Sequence, residues 1–219
     1  MGWKDAAARA ALIAAFVGGA SYMAAWPLHL DHPVMTAWKG SGVALLAVYA
    51  ALRARSLDGW LIALVMALGA AGDVLLEVIG LTRGALAFLA GHLVAIGLYV
   101  KNRRPGLGPT DWLVAAALVV ATVATAWALP ADRAMAPGIA LYATGLSCMA
   151  ASAWLSRFPR GWVALGAVMF LVSDLLIFAR SGPLAGQAWV GIGVWTLYFG
   201  GQAMIALGVT RALSEPRPA

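Results

Sequence analysis

Charge is what this chain has least of. Only 11% of its 219 residues are Asp, Glu, Lys or Arg, while 63% are apolar and the mean hydropathy is +0.85. A soluble domain carries about 25% charged and 45–50% apolar residues, so there is too little polar surface here to cover a globule in water. An ordinary soluble enzyme and a disordered chain are excluded. Cysteine is nearly absent as well. The single Cys148 cannot close an intrachain bridge, which excludes a disulfide scaffold and leaves the redox compartment unread. Acids are fewer than bases, 9 against 15. In a soluble chain that balance suggests nucleic acid; in one this apolar it marks cytoplasmic loops, and nucleic acid is not an expected partner. Walker loops, Rossmann fingerprints, nucleophile elbows and c-type haem motifs are all missing.

What is present is a series of apolar runs. A helix needs about 20 apolar residues to cross a bilayer, and eight runs qualify: 7–26, 35–52, 59–79, 84–100, 111–129, 135–155, 161–179 and 187–208. They are long and rich in Ala and Leu, whereas outer-membrane strands alternate in segments of about ten residues. The breaks hold Pro27, Pro33, Pro105, Pro109, Pro130, Pro137, Pro159 and Pro183, where helices stop or start. The first run is too long for a signal peptide, and no convincing cleavage site follows it. The expected fold class is therefore all-α: a polytopic bundle of eight helices forming one integral membrane domain over 1–219, with the lipid bilayer as its surroundings.

Loop charges give an orientation. Lys4, Arg9, Arg53, Arg55, Lys101, Arg103, Arg104, Arg157, Arg160, Arg211 and Arg217 fall on one side; Arg83, Arg133 and Arg180 fall on the other. The positive-inside rule then places both termini in the cytoplasm and the protein in the inner (cytoplasmic) membrane. Two termini on one side require an even number of spans, in agreement with eight. Trp26, Trp38, Trp60, Trp112 and Trp162 lie near span ends, as in an aromatic belt.

Ionisable groups in hydrocarbon are costly and point to function by default. The expected spans hold Lys39, Asp73, Glu77, His92 and Asp174, with Gln202 as a polar neighbour. Asp73 and Glu77 are four apart and share a helix face. At 1.5 Å per residue, both aspartates and Lys39 fall in the outer half of the membrane and His92 near its middle, so the groups are expected to converge on a cavity opening outward. Each also has a structural reading. An intramembrane Asp can pair with Lys39 or hold a helix interface. Lys39 reads as a counter-ion, a snorkelling side chain, or a partner of a headgroup or carboxylate. Glu77, near the outer interface, reads as solvated, and His92 and Gln202 read as interhelical hydrogen-bonding groups.

A weak repeat bears on the convergence. Gly72-Asp73-Val74-Leu75-Leu76 is echoed by Ser173-Asp174-Leu175-Leu176-Ile177, and Phe88 to His92 by Tyr198 to Gln202. Corresponding spans lie four apart and point the same way, which predicts two four-helix halves, 1–104 and 105–219, related by an axis along the membrane normal. Such paired halves with intramembrane charges also suit a small transporter or channel, the alternative function class. Against it, the polar residues cluster towards one side and no span is conspicuously broken. The loop His29-Leu30-Asp31-His32 offers three ligand-type residues in four, but in a short Pro-flanked loop without Cys or a further His it lacks a fixed geometry; no metal is expected.

In the order and spacing of several segments the chain resembles the YhhN family of membrane lysoplasmalogenases. These segments are Trp38-Lys39-Gly40, Gly72 to Leu76, Phe88 with Gly91-His92, Tyr142 to Met149, Ser173-Asp174 and Gly201-Gln202. One departure is Gly40, where the family commonly has Pro, a change expected to alter the bend of span 2. The resemblance implies hydrolysis of the vinyl ether bond of a lysophospholipid substrate, a lysoplasmalogen, to a fatty aldehyde and glycerophosphoethanolamine or glycerophosphocholine. It also implies that Asp73 and Asp174 are the catalytic candidates. Two carboxyls in different environments suit a reaction that needs both a proton donor and an anion beside a cationic intermediate. Lys39, Glu77, His92 and Gln202 are then substrate-binding candidates: Lys39 for the phosphate, His92 and Gln202 for water or the ether oxygen. No cofactor is required by this chemistry.

Overall fold

The computed structural model describes residues 2–28 and 30–215. They form eight α-helices and no strand: α1 (Trp3–Ala25), α2 (His32–Arg53), α3 (Leu57–Val78), α4 (Leu81–Lys101), α5 (Pro109–Ala128), α6 (Ala136–Leu155), α7 (Leu165–Ala179) and α8 (Trp189–Ser214). A π-helical turn, Arg160–Ala164, leads into α7. All eight segments are long and apolar enough to span a membrane, and the chain is a multi-pass membrane protein. The expected spans match these helices closely, except that α8 runs on to Ser214. His29 of the His-rich loop and Arg217 of the charge count lie outside the described residues.

The helix ends follow local chemistry. Pro33, Pro109 and Pro137 stand in the first turns of α2, α5 and α6, where a missing N–H costs nothing. Ser56 caps α3, its hydroxyl accepting from the Gly59 N–H at 3.3 Å. Gly80, at φ 113°, ends α3: its N–H and that of Ile79 both donate to the Leu75 carbonyl. Apolar side chains left exposed recur every seven residues, as Leu86, Leu93 and Val100 on α4 and Leu113, Val120 and Trp127 on α5. A stripe of that kind faces lipid without penalty.

The described residues fall into two compact units, one within Met1–Leu98 and Ala206–Ala219, the other Tyr99–Ile205. In the first, α1 packs on α2 and α2 on α3. Antiparallel α3 and α4 approach closely: a Cβ on Gly72 would lie 2.8 Å from the Phe88 ring, and one on Gly84 would lie 2.6 Å from the Leu76 Cβ. Ala8, Ala11, Tyr49 and Leu207 bury together, and the Tyr49 and Thr210 hydroxyls hydrogen-bond at 3.2 Å, which secures the end of α8. In the second unit α5 packs on α6, and α7 on both. Ala126, Ile139, Ala143 and Phe178 form its apolar cluster. Backbone contact between α7 and α8 is closest at Gly166 and Gly201; a Cβ on Gly201 would lie 2.5 Å from the Gly166 carbonyl oxygen. Small residues at these crossings are what membrane helices use to pack without a hydrophobic driving force.

Candidate functional site

In the first unit α3 buries two aspartates: Asp58 in its first turn, 5% exposed, and Asp73 further along, 3% exposed. One turn further along α3, Glu77 accepts a 2.6 Å hydrogen bond from the Lys39 ammonium on α2. The pair is partly exposed, at 16% for Lys39 and 32% for Glu77. Glu77 is therefore not simply solvated, as its interfacial position suggested: it is the carboxylate partner of Lys39. The Lys lands there because α2 runs unbroken through Gly40, and Gly40 admits α3 closely, a Cβ at that position meeting the Val74 side chain at 3.0 Å. The departure from Pro at position 40 thus goes with a continuous helix and a tight α2–α3 contact.

Two residues of α1 and its extension join this group: Tyr22, which did not stand out in the sequence, and Trp26, which read only as part of the aromatic belt. Tyr22 lies within electrostatic reach of Lys39, Glu77 and Asp73, and the Trp26 indole hydrogen-bonds its hydroxyl. The two rings stand nearly perpendicular, at 86°, with centroids 5.8 Å apart. Position along α1 is fixed by the Trp38 indole, which donates to the Ser21 hydroxyl at 3.0 Å. A four-residue spacing of aromatics at a span end was the available signal, but it reads equally well as part of an interfacial belt. His92, 5% exposed, lies one turn along the same α4 face from Phe88. Through the Gly72–Phe88 and Gly91–Leu68 contacts, its level on α3 is about 7–8 Å along the axis from Asp73.

In the second unit Asp174, 6% exposed, sits on α7. Its Oδ2 accepts a 2.6 Å hydrogen bond from the Tyr142 hydroxyl on α6, and its Oδ1 lies 3.4 Å from the Ser173 hydroxyl, which donates to the Phe170 carbonyl at 2.6 Å. Tyr142 is held edge-on against Phe178, centroids 5.8 Å apart. Gln202, 3% exposed, follows Gly201. That glycine packs against Gly166 and Phe170, which puts Gln202 about one to two turns along α7 from Asp174. The Tyr142 donor favours the ionised form of the carboxyl and works against burial, which favours the neutral one.

Comparison with known proteins settles the family. Residues 34–209 match the model of the YhhN family. The chain belongs to the YhhN family. Two relatives, each named lysoplasmalogenase, come from Mycobacterium bovis and Mycobacterium tuberculosis; each is 33% identical, over 78% of this chain and 69% of the relative. No solved structure matches. Lys39, Asp73, Glu77, His92, Tyr142, Asp174 and Gln202 all fall within the YhhN match, whereas Tyr22 and Trp26 precede it.

Proposed function

We propose that this YhhN protein is a membrane hydrolase that cleaves the vinyl ether bond of lysoplasmalogens. The products are a fatty aldehyde and glycerophosphoethanolamine or glycerophosphocholine. It works in the inner (cytoplasmic) membrane with both termini in the cytoplasm. The family and the names of the two mycobacterial relatives support the reaction class. The single observation that carries the chemistry is the burial of two span carboxyls, Asp73 at 3% and Asp174 at 6% exposure.

Vinyl ethers hydrolyse when an acid protonates the distal alkene carbon. The resulting oxocarbenium ion takes up water to give a hemiacetal, which collapses to the aldehyde and frees the glycerol hydroxyl. The enzyme needs one carboxyl as proton donor and one carboxylate to stabilise the cation and activate water. We assign the anion to Asp174, because the Tyr142 hydroxyl donates to it. Asp73 is then the proton donor. His92 and Gln202 orient water or the ether oxygen, and Lys39 with Glu77 receives the headgroup. Nothing in the step calls for a cofactor.

The test is aldehyde release from a lysoplasmalogen by purified protein in detergent or nanodiscs. Asp73→Asn and Asp174→Asn are each expected to lower turnover by at least about 10²-fold, the scale of losing a general acid or base. Near-normal turnover in either folded variant removes that residue from the mechanism, and no aldehyde from the unaltered protein removes the function.

A further inference from the structure

Four helix ends meet within the second unit: the last turn of α4, the start of α5, the end of α6 and the turn that leads into α7. Residues 102–112 and 155–160 there hold four arginines and one acid. The two connecting segments are tied antiparallel. The Arg104 N–H donates to the Leu155 carbonyl at 2.9 Å and the Arg157 N–H to the Asn102 carbonyl at 2.8 Å, with Arg103 facing Ser156 between them. The acid is already matched: Asp111 accepts from the Arg160 guanidinium, whose Nε also donates to the Trp154 carbonyl at 3.1 Å. Among the described residues no carboxylate makes a salt bridge with Arg103, Arg104 or Arg157. We propose that Arg103, Arg104 and Arg157 form a binding site for the phosphate of an anionic membrane phospholipid, a site that the proposed hydrolysis does not use.

Three features support it. First, the arginines are held in place. The Arg157 Nε donates to Asn102 Oδ1 at 2.9 Å, and its guanidinium lies 5.3 Å from the centre of the buried Phe158 ring, which leaves both Nη groups for a ligand. The Arg103 guanidinium lies over the Trp112 ring at 6.0 Å, and Arg104 is within electrostatic reach of Asp111, the neighbour of that tryptophan. A planar fork fixed in this way makes paired hydrogen bonds to phosphate oxygens with less ordering than a lysine requires. Second, the charge is out of balance. With Asp111 taken by Arg160, three positive charges remain on two segments bonded to each other. A phosphodiester supplies the missing anion. Third, the surroundings suit a lipid rather than a soluble anion. Trp112 and Trp162 are exposed at these helix ends, and indoles at span ends sit among headgroups. Further along the same segments Leu113 and Leu165 are exposed as well, giving apolar surface for acyl chains below the phosphate. Basic clusters at the ends of membrane helices bind anionic headgroups by this combination.

The experiment counts lipids bound to the purified full chain in a neutral detergent, by native mass spectrometry, with phosphatidylglycerol and phosphatidylcholine of identical acyl chains. Phosphatidylglycerol is expected to bind about 10-fold tighter. Arg157→Gln should weaken phosphatidylglycerol about 10-fold, the loss of a hydrogen-bonded charge, while phosphatidylcholine stays within about twofold. Arg157→Lys keeps the charge without the fork and should recover only part of that loss. Lys4, Arg9 and Arg55 are exposed and fall on the same side by the loop count. Changing all three to Gln removes more charge than Arg157→Gln, yet should leave phosphatidylglycerol binding within about twofold, because they are not part of the site. Equal binding of the two lipids by the unaltered protein overturns the proposal. So does unchanged phosphatidylglycerol binding in Arg157→Gln. A loss in the Lys4, Arg9 and Arg55 variant as large as in Arg157→Gln also overturns it, since that would be diffuse attraction to the basic side. Displacement of the lipid by inorganic phosphate at the lipid's own concentration would overturn it in favour of a soluble anion. Should Arg157→Gln not fold, Arg103→Gln at the exposed Arg103 makes the same test with the same expected loss.

Discussion

The hydroxyl of Tyr142 donates a 2.6 Å hydrogen bond to Oδ2 of Asp174, joining α6 to α7 at a carboxylate that is 6% exposed. If Asp174 serves as the anion, this bond is part of its function, because a donor to the charged form keeps the carboxylate ionised. Tyr142→Phe removes one oxygen and keeps the ring against Phe178. The ionised form then loses support, so protonation of Asp174 sets in at higher pH. The acid limb of the pH–rate profile is expected to move up by about one pH unit, the size of a hydrogen bond to a charged group, with the alkaline limb in place. An alkaline limb that moves instead would make Asp174 the proton donor and exchange the two roles. A profile that does not move would reduce Tyr142 to a packing residue.

Gly201 supplies a test of the helix contact that holds Gln202. A Cβ there would lie 2.5 Å from the Gly166 carbonyl oxygen and 3.1 Å from the Phe170 nitrogen, whereas one on Gly138 of α6 meets nothing within 4 Å. Gly201→Ala is expected to destabilise by about 1–3 kcal/mol, the usual range for overpacking. Gly138→Ala should be neutral or stabilising by up to about 1 kcal/mol through helix propensity. Thermal unfolding in detergent measures both. Equal midpoints would mean that α7 and α8 part more easily than their contact implies.

Orientation is a separate prediction. Single cysteines in the first, third, fifth and seventh loops of a Cys148-free protein should react with a membrane-impermeant label from the periplasmic side. Eleven basic residues on the opposite side against three on this one motivate the expectation. Labelling only from the cytoplasm would reverse the topology and turn the Lys39–Glu77 end inward.

The eight helices were legible because crossing hydrocarbon leaves a long, simple signal, and prolines marked the starts of α2, α5 and α6. The polar residues were legible for the same reason: in such a chain any charge stands out. Their partners were not. Lys39 had three acidic residues in the spans to choose from, and only the close α2–α3 approach at Gly40 selects Glu77. Tyr142 opened one of the segments that carry the family resemblance, but its bond to Asp174 appears only when α6 and α7 are side by side. The expected last span stopped at 208, yet α8 runs on to Ser214, with the Tyr49–Thr210 hydroxyl contact, 161 residues apart in sequence, securing its end. Pairings at that separation leave no local trace.

The chemistry itself has a test that does not depend on any one residue. If the first step is proton transfer from a carboxyl to carbon, the transferred proton exchanges with solvent between turnovers. Hydrolysis in heavy water should then place one deuterium on the aldehyde carbon next to the carbonyl. The label has to be read after rapid reduction to the alcohol, because aldehydes exchange those hydrogens slowly by themselves. Displacement at the glycerol carbon would release an enol that later collects the same deuterium, so oxygen must be followed too. With vinyl ether protonation, water oxygen enters the aldehyde and the glycerol product keeps its own; with displacement, water oxygen enters the glycerol product. Alcohol oxygens do not exchange readily, so the glycerol product is the dependable reporter. Solvent ¹⁸O in that product, or an aldehyde without deuterium, would sink protonation of the vinyl ether even if Asp73 and Asp174 both proved essential.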